Sequence, residues 1–231
     1  MAMRVRSAAA AGAIGAAVLV LGGCASTEPK PLQGYEGSSM PSGASLQPSE
    51  VAGRTAMVWR NPNADLRRYT RFIIEPVEIY RGTDANFDGA SEQELQQLAD
   101  FMRREFVRTG GPYVTTAPGP GVARIKLTLA GLEGNVPVAS TVSRVLPVGL
   151  AMNLAKTATD QPGSFTGSAT LAAQIVDSQT NGPLVTVVQK AYPNAMNIPA
   201  TFTSRDAQEA AITQAAEGFR KRLDEMQKRT S

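Results

Sequence analysis

Cys24 is the only cysteine of the chain, and the residues before it suggest a covalent modification. Leu21 stands at the third position before it, and Gly22 and Gly23 directly precede it. This pattern is typical of a lipobox, in which the thiol receives diacylglycerol, the chain is cut before the cysteine and the new amine is acylated. Each buried methylene then contributes about 0.8 kcal/mol to membrane binding. We predict a lipid anchor at Cys24; the alternative is an ordinary signal peptide beside an accidental cysteine.

The rest of the residue inventory offers little for catalysis. The chain has no histidine and no second cysteine. Zinc sites built on those residues, Ser-His-Asp triads and disulfides are therefore excluded. Glu75 and Glu78 are close in sequence, but residues three apart on a strand point to opposite faces, so we expect a buried, hydrogen-bonded Glu75 and a solvated Glu78. We predict a protein that is not an enzyme, with no catalytic residue, no metal and no cofactor.

Charge and composition indicate a globular chain without a nucleic-acid partner. Of its 231 residues, 42% are hydrophobic and 19% charged, and the length suits a signal segment and one domain of roughly 100–200 residues. The formal net charge is +3, but Arg4 and Arg6 lie in the first 23 residues, so the remaining chain has 21 basic and 20 acidic side chains. A nucleic-acid binder would need a concentrated basic surface.

The chain is predicted to consist of a signal peptide, a tether and a domain. Two arginines precede an apolar run from Ala8 to Leu21. This run is too short to span a bilayer comfortably, and it is typical of a signal peptide, here residues 1–23. Residues 24–54 are rich in Gly, Pro, Ser and Thr, which predicts a flexible tether. Residues 55–231 are predicted to form a single domain.

Two helices are predicted from capping residues and apolar periodicity. Ser91 and Glu94 have the spacing of a capping box, and Gly110-Gly111-Pro112 ends the helix that follows. The second helix begins near Ser204. The residues expected to face the core are Leu95, Leu98, Ala99, Met102 and Phe106 in the first helix, and Ile212, Ala215, Ala216, Phe219, Leu223 and Met226 in the second.

Strands are predicted from alternating residues and turn signals. Phe72 to Tyr80 is apolar on both faces at its start, which favours a central strand. The predicted fold class is α+β: a mostly antiparallel sheet of about five strands with two helices packed on one face, and with the polar strand face exposed to water. The other predicted strands and turns are 113–116, 118–121 (turn), 124–129, 165–177, 181–182 (turn) and 184–188.

Several segments resemble a known family. They are Trp59 to Leu66, Tyr69 to Tyr80, Pro118 to Gly121, Val142 to Leu150 and Asp177 to Asn181. In these segments the chain resembles the bacterial lipoprotein family catalogued as domain of unknown function 3313, over roughly residues 55–228. The resemblance implies a lipoprotein, usually of the outer membrane, whose molecular function is unknown, and it supplies no catalytic residue. By resemblance to Gram-negative lipoproteins, Ala25 after the cysteine favours an outer-membrane, periplasm-facing location.

Two stretches could form binding surfaces. The apolar run Val145 to Ala155 is too short to span a bilayer, and it forms either part of the core or an exposed patch for a partner, for self-association or for the membrane surface. Hydroxyl residues from Ser164 to Thr170 could bind a sugar or a partner strand, but a solvated sheet face explains the same pattern without any function and is the favoured interpretation. The candidate partner surface consists of Val145, Leu146, Val148, Leu150 and Met152.

Basic residues gather at the C-terminal end of the second predicted helix. Lys221, Arg222, Lys228 and Arg229 are expected to complement the helix dipole there. The alternative is a contact with anionic lipid or peptidoglycan.

The sequence favours two functions over a third, an enzyme that uses carboxylates or hydroxyls alone, which no spacing of its residues predicts. The first is an accessory or docking module of the outer membrane, anchored through Cys24, whose partner is an unidentified envelope protein, peptidoglycan or a second copy. The second is a carrier of a small apolar or glycan ligand, with apolar cargo between sheet and helices near Phe101, Phe165 and Phe219.

Overall fold

The computed structural model describes residues 29, 32, 40–41, 43–51, 54–134, 167–193 and 204–228. The predicted signal peptide, Cys24, the run from Val145 to Ala155, and residues 164–166 therefore lie outside the described residues. Within the described part, no helix is both long and apolar enough to cross a membrane.

A mixed sheet forms the centre of the fold. Its strands are β1 (Gln47–Val51), β2 (Arg54–Arg60), β3 (Arg71–Ile74), β4 (Glu78–Ile79), β5 (Val122–Glu133), β6 (Ser168–Asp177) and β7 (Pro183–Ala191). Their order is β1-β2-β7-β6-β5-β3, with β4 also paired to β5. The predicted α+β class is confirmed. The described sheet has seven strands instead of about five, however, and it is mixed instead of mostly antiparallel, because β3 and β4 run parallel to β5.

The stretch from Phe72 to Tyr80 forms β3 and β4 at one edge of the described sheet, so its prediction as one central strand is wrong. The stretch is interrupted at Pro76, which has no N–H to donate to a neighbouring strand. The N–H of Glu75 still donates to the Ile125 carbonyl at 3.0 Å, and the N–H of Tyr80 donates to the Leu129 carbonyl at 2.9 Å. This stretch is apolar on both faces because it pairs in parallel with β5, to which a helix connects it, and not because it lies in the centre of the sheet.

Two helices accompany the sheet, α1 (Glu92–Gly110) and α2 (Ser204–Lys228). The predicted capping box of α1 is confirmed. The Oγ of Ser91 accepts the N–H of Glu94 at 3.3 Å, and the Glu94 carboxylate accepts the N–H of Ser91 at 2.8 Å. Two of the free backbone donors at the helix start are satisfied in this way. The helix ends as predicted at Gly110, and Gly111 follows with a φ of +53°.

Two short 3-10 helices, Leu66–Arg68 and Gly111–Tyr113, connect larger elements. The second overlaps the strand predicted over residues 113–116 only at Tyr113, and the rest of that stretch does not form a strand. Only Val114 pairs there, through a single bridge to Phe72.

The main core brings side chains of the sheet and of both helices together. The ring of Phe219 lies 6.2 Å from that of Phe72 and 5.6 Å from that of Phe106, measured between centroids. All the core positions predicted for α1 are buried, whereas Ala215, Phe219 and Met226 of α2 are only half-buried. The largest buried side chains of this cluster include Leu98, Met102, Leu129 and Ile212.

The opposite face of the sheet is also covered, contrary to the prediction that its polar residues are exposed to water. Thr128, Gln174 and Thr186 are buried. The Lys190 side chain is 8% exposed and forms an ion pair of 2.8 Å with Glu133. A second apolar cluster contains Leu32, Leu46, Tyr80, Ala130, Ala172 and Val188.

The segment predicted as a tether contributes to the fold. β1 lies within residues 24–54 and pairs with β2. Leu32 and Leu46 are buried in the second apolar cluster. Ordered structure therefore begins well before residue 55.

The turn predicted at Pro118 to Gly121 is present and depends on its second glycine. The Val122 N–H donates to the Gly119 carbonyl at 3.1 Å, and Gly121 between them has a φ of +72°, as a type II turn requires. A Cβ added at Gly121 would lie 2.9 Å from the Arg68 carbonyl oxygen. Both the backbone conformation and the close approach therefore require glycine.

We expect Gly121→Ala to lower the free energy of unfolding by about 1–3 kcal/mol, because alanine is strained in this conformation and contacts the Arg68 carbonyl. Gly119→Ala is the matched control. Its added Cβ would have no neighbour closer than Val122 Cγ2 at 4.0 Å, so we expect a change within about 0.5 kcal/mol. Denaturant titration measures both values, and equal losses would contradict the assignment.

Candidate ligand-binding cleft

A cleft of about 720 Å³ lies between the sheet and α2. Its floor includes β7, which is flanked on both sides by other strands. Despite this central position, Val185, Val187 and Gln189 are only half-buried. Their side chains share the sheet face that also presents Arg60 of β2, since Arg60 pairs with Val185. The half-burial of these residues therefore reflects the open space under α2.

The cleft exists because α2 packs sideways against α1. Tyr113 just after α1 donates to Asp224 at 2.8 Å, Thr213 donates to Glu105 at 3.3 Å, and Arg220 donates to the Thr109 carbonyl at 3.2 Å. These contacts occupy one side of α2. Because an α-helix has 3.6 residues per turn, a different set of α2 residues lies on the side that faces the cleft. They are Gln214, Gly218, Lys221, Arg222 and Glu225.

Aliphatic side chains dominate the floor of the cleft. β6 contributes Leu171, Ala173 and Ile175, and β7 contributes Val185 and Val187. Small and branched aliphatic residues in a half-enclosed space favour an apolar ligand, because such a surface gains free energy when it is removed from water.

Tyr69 lines one end of the cleft and is held in place by Asp177. Its hydroxyl donates to the Asp177 carboxylate at 2.9 Å. The backbone N–H groups of Thr180 and Gln179 also donate to this carboxylate, at 2.8 and 2.9 Å, and lower the pKa of Asp177 to about 2. Burial, followed by the bond to Asp177, raises the pKa of Tyr69. Tyr69 is therefore a neutral hydroxyl anchored to the β6–β7 hairpin.

The charged residues around the cleft are mostly basic. Arg67 pairs with Asp65 at 2.9 Å, and Arg222 with Glu225 at 3.6 Å. Within the described part of the chain, Arg60 forms no ion pair. The charged lining residues are Arg54, Arg60, Arg67, Lys221 and Arg222, against Glu217 and Glu225.

The structure separates the residues that the sequence singled out. Glu75 is half-buried and pairs with Arg124 at 2.7 Å, whereas Glu78 is exposed. Ser168 is buried and donates to Glu133 at 3.2 Å, so this member of the hydroxyl row is not solvated. In the described ranges, no group of three Cys, Asp or Glu side chains could hold a metal ion.

Two of the three aromatic residues proposed for a carried ligand are described, and one of these lines the cleft. Phe219 lines it, whereas Phe101 packs against the core outside it. Phe165 and the candidate partner surface Val145, Leu146, Val148, Leu150 and Met152 lie outside the described residues. The β7 floor could not be recognised from the sequence, because an apolar stretch such as Leu184 to Val188 gives no sign that one of its faces is half open.

Comparisons with known proteins identify the family but no function. Residues 37–219 match the family described as "Protein of unknown function (DUF3313)", and the chain belongs to this family. No curated protein matches the chain.

Two solved structures are distantly similar. The PelC dodecamer of Paraburkholderia phytofirmans has a TM-score of 0.37 and 9% identity, and a single-residue variant of it has a TM-score of 0.36 and 8% identity. In both, the similarity covers 71% of this chain and 97% of the other. A likeness this weak says nothing about function.

We expect Asp177→Asn to destabilise the protein in a pH-dependent way. The folded state lowers the pKa of Asp177 from its ordinary value near 4 to about 2. The stabilisation is therefore complete above pH 4 and is lost as the pH falls to about 2. At neutral pH the variant should lose about 1–2 kcal/mol of unfolding free energy, allowing for solvent screening.

Tyr69→Phe is the matched control for this measurement, because it removes one hydrogen bond and leaves both backbone donors to Asp177 in place. Its loss of unfolding free energy, about 1 kcal/mol, should vary much less with pH. The values come from denaturant titrations between pH 2 and pH 7. A difference between wild type and Asp177→Asn that does not change with pH would contradict the prediction.

Proposed function

We propose that this DUF3313 member is a non-enzymatic, lipid-anchored protein of the outer membrane that faces the periplasm and holds a small apolar ligand in the cleft under α2. The observation that carries the ligand-binding function is the cleft itself. Its volume, about 720 Å³, falls within the roughly 300–1,000 Å³ of sites for small molecules.

The shape of the cleft favours an elongated ligand. Along β7, the lining runs from Val185 to Ala191, a distance of about 20 Å at the usual rise of a strand. Along α2, it runs from Ala211 to Met226, or about 22 Å at the rise of a helix. One acyl chain, which extends over about half of a hydrocarbon core of ~30 Å, fits this length.

The packing of the helices supports the same proposal. We take both helices to lie on one face of the sheet, because side chains of α1, α2, β5 and β6 share one core cluster. With α1 beside it, α2 cannot shift across the sheet to close the cleft without breaking contacts such as the one between Phe106 and Phe219. The open space is then a persistent part of the fold.

The residue inventory supports binding and not catalysis. The cleft is lined by Tyr69, whose hydroxyl is neutral and already bonded to Asp177, and by separated charges. Glu217 and Glu225 lie eight residues apart on α2, or about 12 Å along the helix, which is too far for a pair of acids acting together.

The docking function remains a prediction of the sequence alone. Its candidate surface within Val145 to Ala155 lies outside the described residues. A partner such as an envelope protein, peptidoglycan or a second copy would be additional to the ligand in the cleft.

Filling the cleft with a large side chain should weaken the binding of a neutral apolar probe. In the purified full-length protein, we expect Ala215→Phe to weaken binding of the fluorescent probe N-phenylnaphthylamine at least about tenfold, because the ring would occupy space next to the floor. Hexadecanol should displace the probe from the wild-type protein. Fluorescence titration measures both.

Ala210→Phe is the matched control, since Ala210 is also half-buried on α2 but does not line the cleft. It should leave the affinity within about twofold. Thermal unfolding checks that both variants are folded. Absence of probe binding to the wild-type protein, or equal losses in both variants, would contradict the proposed ligand site.

The anchor is tested separately at Cys24. In cells labelled with palmitate, we expect Cys24→Ser to abolish labelling and to release the protein from the outer-membrane fraction, because the thiol that accepts diacylglycerol is gone. Ser26→Ala is the control and should be labelled like the wild type. Continued labelling of Cys24→Ser, or membrane retention without any label in the wild type, would contradict the anchor.

A further inference from the structure

The charges around the cleft are not balanced, and this imbalance points to the chemistry of the ligand. The lining contains five basic residues and two acidic ones. Both acids have a basic neighbour. Glu217 acts electrostatically on Arg108, and Glu225 pairs with Arg222. Of the other basic residues, Arg67 pairs with Asp65 outside the lining, and Arg54 donates to the Tyr192 carbonyl and lies over the Tyr192 ring.

Within the described residues, Arg60 and Lys221 both line the cleft and form no ion pair with a carboxylate. Arg60 is exposed at the end of β2, on the same sheet face as Val185 of the floor. Lys221 is exposed on the cleft side of α2. In the described ranges neither forms an ion pair, in contrast to Arg67, which pairs with Asp65. Both are placed to meet a group that enters between β2 and α2.

The helix dipole does not account for these cations. Its effect is confined to the last turn of a helix, and Lys221 precedes the end of α2 at Lys228 by seven residues, about two turns. Arg60 lies on a strand. The dipole explains Lys228 and leaves Arg60 and Lys221 unexplained.

We infer that the ligand is a long-chain fatty acid, with its acyl chain on the aliphatic floor and its carboxylate at the end of the cleft near Arg60 and Lys221. This inference rests on the proposed function of the cleft. A single chain matches the elongated floor, and a carboxylate receives charge-assisted hydrogen bonds from guanidinium and ammonium groups. A neutral chain of the same length would leave these cations without a counter-charge.

The test compares palmitate with hexadecanol, which have the same chain length and differ in charge. Each is used to displace N-phenylnaphthylamine from the full-length protein at pH 8, where palmitate is ionised. We expect the wild type to bind palmitate about tenfold more tightly than hexadecanol. The double variant Arg60→Gln/Lys221→Gln should lose this preference and bind hexadecanol as the wild type does.

The control variant Arg103→Gln/Lys126→Gln removes the same net charge from exposed positions outside the cleft. It should keep the preference for palmitate. Equal affinity of the wild type for both compounds would overturn the fatty-acid assignment and leave apolar binding intact. An equal loss in both double variants would also overturn it, because the effect would then be one of net charge. Failure of both compounds to displace the probe would overturn the proposed function itself.

Discussion

The contact of Phe219 with Phe72 and Phe106 determines how α2 lies on the sheet. Three aromatic rings from β3, α1 and α2 meet there. Phe72 and Phe106 are buried, and full burial of such a ring contributes about 1.5–3 kcal/mol. Polar contacts between Tyr113 and Asp224, and between Arg220 and the Thr109 carbonyl, hold α2 on the same side. α2 also contacts β6 and β7, yet it leaves Val185 and Val187 of β7 half-buried. The cleft is the space that α2, held against α1 by these contacts, leaves open on this face of the sheet.

The two faces of the sheet are covered in different ways, and this difference makes the cleft functionally interesting. Residues of the opposite face such as Thr186 and Val188 are almost fully buried. Their neighbours Val185 and Val187, which point towards α2, are half-buried on the same central strand. A half-open aliphatic surface in the middle of a sheet costs free energy in water, and a bound apolar molecule would recover it.

Local features of the fold could be predicted from the sequence, and long-range ones could not. The capping box at Ser91, the Gly121 turn and the Asn181-Gly182 hairpin depend on neighbouring residues, and the structure confirms them. The edge position of Phe72 to Tyr80, the strand β1 and the burial of Leu32 depend on pairing with distant segments. The cleft could not be predicted for the same reason. Periodicity shows which residues of a strand are apolar, but not whether a helix from elsewhere in the chain covers them.

The anchor proposed at Cys24 and the fatty acid proposed for the cleft are physically compatible. Leu32 is buried against the sheet only eight residues after Cys24, so the anchored end can lie no more than about 29 Å from the domain. A domain held that close to a bilayer is in constant contact with the compartment in which single-chain amphiphiles concentrate. The short tether would keep the protein close to the membrane, and the cationic end of the cleft would favour ligands that carry a negative charge.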